Sequence, residues 1–182
     1  MALVLTKETG TGSATANSYA SVADADGYFE AHLYASLWVA AVAADKAAAL
    51  VWATRLIDTQ FQFNGFKANT VQALQWPRAA CPDVDQSGGQ LTLRGAALVA
   101  DTVVPVYVQW ANCEMARELV ILDRTTAPPG EGIEQAHLAD SSTTIYCKTD
   151  TRRILSHVAI AMLRKYGVEV GDRGAVARTA RS

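Results

Sequence analysis

The stretch Asn17-Ser18-Tyr19-Ala20-Ser21-Val22-Ala23-Asp24-Ala25-Asp26-Gly27-Tyr28-Phe29 writes the start of a helix. Ser21 can accept a hydrogen bond from the free backbone N–H groups at a helix head, and Asp24, three residues on, can answer it as a capping box. Asp24 and Asp26 also place negative charge at the positive end of the helix dipole. Val22, Ala25, Tyr28, Phe29 and Leu33 then recur at helical spacing, so the pattern predicts a first helix from about Val22 to Leu33.

Working outward, the chain reads as helices joined by polar loops. A second helix is expected from Asp45, its candidate cap, with Ala48, Leu50, Val51, Thr54, Ile57 and Phe61 on one face. Asn64-Gly65 ends or turns the chain. Ala68 to Arg78 reads as a short helix or turn, and Trp76-Pro77-Arg78 marks a fixed corner, because proline disfavours helical geometry at the residue before it. That corner reads as structural, with the Trp76 ring wedged into the core and Arg78 paired to a carboxylate. Cys81 to Gln90 is rich in Pro, Asp, Ser and Gly and reads as a flexible loop.

Pro105 fits the first turn of a third helix, where its missing N–H costs nothing. Val108, Ala111, Met115, Leu119 and Leu122 follow at spacings of three and four, with Glu114, Arg117 and Glu118 on the other side. Tyr107 and Trp110 at helical spacing read as packing residues. Around Asp140-Ser141-Ser142, the segment 133–146 reads as a hairpin or an extended arm. A last helix is expected from Thr151, striped by Ile154, Leu155, Val158, Met162 and Leu163, before Gly167 and Gly171 release the chain. The expected fold class is mainly α, a small bundle of about four helices with a short β-hairpin or extended arm and flexible termini. The expected division is an extended arm over 1–17, a helical body over 18–166 and a basic tail over 167–182.

Composition narrows the function classes. Of 182 residues, 50% are hydrophobic and 19% charged, which suits one soluble globular domain with extensions. The apolar run Leu33 to Ala44 is too short to span a bilayer, so no membrane partner is expected. Met1 to Lys7 lacks a basic leader followed by a full hydrophobic core, so the sequence predicts no secretory signal. Cys81, Cys113 and Cys147 show no CxxC spacing, and His32, His137 and His157 are scattered, which argues against a disulfide framework, a metal site or any cofactor. Net charge is −2, yet Arg152 to Ser182 holds seven Lys or Arg against Glu169 and Asp172. Arg173, Arg178 and Arg181 in that basic tail are candidate docking residues for an acidic surface or DNA phosphate. No nucleophile elbow and no phosphate-binding glycine loop is present, and Asp24 with Asp26 point to different sides of a helix. No enzyme is expected.

Four segments carry a family resemblance: Asn17 to Phe29, Lys46-Ala-Ala-Ala-Leu-Val-Trp-Ala-Thr-Arg-Leu-Ile-Asp58, Gln72-Ala-Leu-Gln-Trp-Pro-Arg78, and Val104-Pro105 leading into a helix. Over roughly residues 17–166 the chain resembles a tailed-phage family labelled DnaT-like single-stranded-DNA-binding proteins, similar in layout to head-to-tail connector adaptors. The resemblance implies a structural connector subunit in the virion neck, assembled in the host cytoplasm. It implies a ring of twelve copies beneath the portal, with a head-closure or tail-completion protein as neighbour and genomic double-stranded DNA passing through the lumen. On that reading Arg173, Arg178 and Arg181 dock on the portal. The alternative is a replication protein that binds single-stranded DNA. It is disfavoured here because Tyr28, Phe29, Trp52, Phe61, Phe63, Trp76 and Trp110 fall mostly on faces assigned to packing, without interleaved cations. Leu33 to Ala44 and the loop Cys81 to Leu98 look enlarged against the family, and the tail after Gly171 matches no motif.

Overall fold

The computed structural model describes residues 3–85, 97–127, 135–138, 142–145 and 152–170, of which 135–138 and 142–145 are described as backbone only. Its centre is made by three helices. α3 (Ala43–Gln60) buries Ala49, Leu50, Ala53, Thr54, Leu56 and Ile57. α4 (Val106–Ile121) buries a face that includes Val108, Ala111, Asn112 and Met115, and α5 (His157–Leu163) buries Ala159, Ile160 and Leu163. α3 and α5 both pack on α4. Fully burying each large aliphatic side chain contributes about 1.5–3 kcal/mol. α1 (Val22–Phe29) crosses α3 and α4, and the five-residue α2 (Ser36–Ala40) lies on α4.

Three antiparallel strand pairs accompany these five helices among the described residues, so the architecture is mixed rather than mainly α. β1 (Phe61–Phe63) leaves α3 without a loop and pairs with β6 (Gly167–Glu169), Gln62 opposite Val168. Phe61 and Phe63 point inward and Gln62 outward, the period-two pattern of a half-buried strand. A Cβ at Gly167 would lie 2.2 Å from the Gln62 carbonyl oxygen. The glycine expected to release the chain is therefore where the chain returns to the body. β2 (Phe66–Lys67) pairs with β3 (Arg78–Ala79), and β4 (Gln135–Leu138) pairs with β5 (Ser142–Ile145).

Several boundaries differ from the sequence reading for local reasons. α1 ends at Phe29, four residues early, and its C-terminal amide at Glu30 bonds Asp26. Asp45 lies in the first turn of α3, while the N-cap is Val42. Within 33–44 only Ala35 and Trp38 are buried, and α2 has no side-chain cap. Residues 152–156 are not helical; α5 starts after Ser156, whose hydroxyl accepts from Ala159 N–H at 3.1 Å.

Residues 3–17, which composition reads as having little to bury, are anchored by polar contacts instead. The buried Glu8 carboxylate accepts from the amides of Gly10, Gly12 and Ser13 at 2.8–3.1 Å. Asn17 bonds Thr6 N–H and the Val4 carbonyl. The same group of residues meets the buried network in which Asn112 donates to Ser18 Oγ and Thr54 to Asn112 Oδ1. Satisfied buried polar groups of this kind fix a unique packing.

Candidate nucleic-acid interface

At the head of α1 the Ser21 hydroxyl accepts from Asp24 N–H at 3.1 Å, and the Asp24 carboxylate accepts from Ser21 N–H at 2.7 Å. Lys7 lies 2.9 Å from Asp24. The cap fixes where α1 enters and so which residues it presents to α4. Tyr28 follows one turn later and reaches Glu114 on α4.

On α4, residues 107, 110, 114 and 117 fall on one stripe, since three- and four-residue steps return to the same helix face. The stripe is about 15 Å long at 1.5 Å per residue. Tyr107 and Trp110 stand 5.3 Å apart edge to face, and Trp110 lies 5.9 Å from Tyr28 at a tilt of 33°. The row continues through Phe29, 5.1 Å from Tyr28, to His32 at 5.6 Å and Tyr34 at 6.3 Å. Phe29 is buried, Tyr28, His32 and Tyr107 are half-buried, and Trp110 and Tyr34 are exposed by 36% and 77%.

Cations stand at both ends of this row. The Lys165 ammonium sits 4.1 Å over the Tyr107 ring and is held by Asp85 at 2.8 Å, which raises its affinity for the proton. Arg117 donates to the Tyr34 carbonyl at 3.3 Å and pairs with Glu114 and Glu118. The buried Glu114 also accepts from the Tyr28 hydroxyl at 2.8 Å and lies 3.4 Å from His32 Nε2. Burial, then the Glu114 hydrogen bond and charge, push the Tyr28 hydroxyl well above its usual range. It stays neutral and donates. The neighbouring Cys113 thiol is raised to about 12, mainly by burial, so it is an inert core group.

A second surface feature lies between α3 and the end of α4, a cleft of about 580 Å³ lined by Asp45, Ala48, Trp52, Leu119, Val120 and Asp123 among others. Trp52 is 42% exposed there. Asp123 accepts from Thr125 N–H and from the Thr125 and Thr126 hydroxyls, and these bonds hold its carboxyl at about 2.

The corner residues are structural neighbours of the core. Trp76 is fully buried, packed edge to face on Phe63 at 5.6 Å and Tyr166 at 5.5 Å, and its peptide bond to Pro77 is cis. Arg78 departs from the expected carboxylate pairing. Its guanidinium donates to the carbonyls of Phe63, Asn64, Gly65 and Gln75 and to the Gln75 side chain, because strands β1 to β3 close their turns around it. Arg173, Arg178 and Arg181 lie outside the described residues. Cys81 and Cys113 are buried free thiols, and Cys147 lies outside the description. Among the described residues no three Cys, His, Asp or Glu side chains are grouped to hold a metal ion. None of the described helices is long and apolar enough to cross a membrane.

The family model described as "Putative DnaT-like ssDNA binding protein" matches residues 1–182, the whole chain. The chain belongs to this family. Neither the curated proteins nor the solved structures provide a match. This family description overturns the connector expectation: it names single-stranded-DNA binding, not a neck adaptor of the virion. The portal and neck-protein partners, the twelve-copy ring, passage of duplex DNA and the virion location fall with it. The sequence alone carries the family resemblance, but it favours the connector layout because most of its aromatics fall on packing faces without interleaved cations. The surface row shows what that missed. Trp110 is exposed and Tyr107 and Arg117 are half-buried, while Glu114 of the same stripe is taken into the interior by its partners Tyr28, His32 and Arg117.

Proposed function

We propose that this protein binds single-stranded DNA along the ring row formed by Tyr107, Trp110, Tyr28, His32 and Tyr34, as a non-catalytic replication-type protein of the cytoplasm. The observation that carries this reading is the half-exposed Trp110, held between Tyr107 and Tyr28 and followed by a cation at each end of the row. Proteins that bind single strands pair stacking platforms with positive charge along the backbone path, and every base has a face that can stack. The α4 stripe that carries Tyr107 and Trp110, about 15 Å, is about as long as four bases stacked at roughly 3.4 Å. Arg173, Arg178 and Arg181 supply further phosphate contacts in this reading, since the tail concentrates positive charge that the body lacks.

Each stacked base is worth roughly 1–3 kcal/mol by alanine substitution. Titration of a fluorescent oligonucleotide should therefore show Trp110→Ala and Tyr34→Ala each weakening binding by roughly five- to 150-fold. Unchanged affinity in both variants, or no binding by the parent chain, overturns the proposal.

A further inference from the structure

We propose that the cleft beside Trp52 holds one unstacked base carrying an exocyclic amino group, an inference that rests on the single-strand reading. Trp52 offers an exposed ring face at the edge of a cavity of about 580 Å³, a volume ordinary for small-molecule sites. Ala48, Leu119 and Val120 give it an apolar lining, and two carboxylates, Asp45 and Asp123, line it beside Thr125, whose N–H and hydroxyl both donate to Asp123. The exposed Asp45 carboxylate has no hydrogen-bond or ion-pair partner among the described residues. Asp123 already receives three hydrogen bonds, and a carboxylate has about four acceptor positions.

Two carboxylates at the lining repel a phosphate, so only the base enters. The phosphate stays outside, and a cation is placed for it: Arg55, one turn beyond Trp52 on α3, is exposed and without a partner among the described residues. A carboxylate acceptor favours the amino group of cytosine, adenine or guanine. Thymine presents a carbonyl oxygen and a methyl group at the corresponding edge, and the carboxylate repels that oxygen. The α4 side of the cleft is centred away from the ring row, since Leu119 lies two residues from Arg117 and five from Glu114, out of phase with 107, 110, 114 and 117. It therefore adds base preference to a row that stacks on any base.

The test uses the full chain at neutral pH with labelled oligodeoxycytidine and oligothymidine of equal length. Oligodeoxycytidine should bind about tenfold more tightly, the order expected for one good base contact. Asp45→Asn, which puts a donor beside the acceptor at that position, should bring the ratio close to one. Trp52→Ala should weaken the deoxycytidine strand more than the thymidine strand, whereas Trp110→Ala should weaken both alike. Equal binding of the two strands by the parent chain, or a ratio unchanged in Asp45→Asn and Trp52→Ala, overturns this site alone. Failure of both strands to bind overturns the single-strand reading and this site with it.

Discussion

The Tyr28 hydroxyl donates to Oε1 of Glu114 at 2.8 Å, and this bond joins the outer face of α1 to the middle of α4 across 86 positions of sequence. Glu114 is buried and would be costly there alone, but Arg117 lies 3.2 Å from its other oxygen and His32 Nε2 3.4 Å from the first. The three partners are the same residues that border or form the ring row. The carboxylate thus sets the spacing of the rings as well as joining two helices.

Tyr28→Phe keeps the ring and removes only the donor. A hydrogen bond to a charged group contributes about 1.5–3 kcal/mol when buried, and the half-exposed position of Tyr28 reduces this to about 1 kcal/mol. Urea unfolding should show that loss with an unchanged slope. A neutral result would mean that Arg117 alone satisfies Glu114.

The salt dependence of binding should separate body from tail. Each phosphate contact to a single strand contributes about −0.7 to the slope of log affinity against log salt. Lys165 and Arg117 alone would give about −1.4, and the three tail arginines would take it to about −3.5. Neutralising them together, as Arg173→Ala, Arg178→Ala and Arg181→Ala, should flatten the slope towards the smaller value. A slope that does not change would remove the tail from the contact.

Asp58 makes folding sensitive to mildly acid pH. Its carboxylate accepts from the Tyr19 hydroxyl and from Gln75 N–H at 3.0 Å, yet burial outweighs these bonds and raises it to about 6 from 3.8. The folded chain therefore binds this proton more tightly than the unfolded chain. The stabilisation is complete below about pH 4 and is lost as pH rises through about 6, by at most about 3 kcal/mol. Urea midpoints measured across that window should fall with rising pH more steeply for the parent chain than for Asp58→Asn. Asp24 and Asp26, held below the usual range by Ser21, Lys7, Lys46 and Trp38 against the opposing effect of burial, work in the other direction and are common to both proteins.

Sequence made some elements plain and hid others for physical reasons. The α1 cap is local, so Ser21 and Asp24 announce it, and the apolar period of α4 repeats for four turns. α2 has five residues and no side-chain cap, too little for either signal. β1 with β6, and β2 with β3, are pairs of two or three residues, and the partners of the first lie more than 100 positions apart. Such strands exist because tertiary packing brings them together, which no local window contains. The exposed tryptophans were hidden differently: Trp52 of the cleft and Trp110 of the ring row lie at helical spacing whether buried or exposed, and only the placement of α1, α2 and the α3–α4 crossing decides which.

Two glycines make opposite predictions from the same substitution. Gly27 lies within α1, and a Cβ there would meet nothing within 4 Å, so Gly27→Ala removes only the entropic cost of glycine in a helix. It should stabilise by about 0.5–1 kcal/mol. Gly65 sits at φ +72°, in the turn between β1 and β2, where a Cβ would lie 2.2 Å from the Ala79 carbonyl oxygen on β3. Gly65→Ala meets backbone that cannot rotate away and a conformation that side chains disfavour, so it should cost more than about 2 kcal/mol. Because Arg78 donates to the Gly65 carbonyl at 2.7 Å, the same change should also loosen the guanidinium that closes the turns of β1 to β3. Thermal unfolding of the two variants should shift in opposite directions, and a shift of the same sign in both would refute the backbone assignment at Gly65.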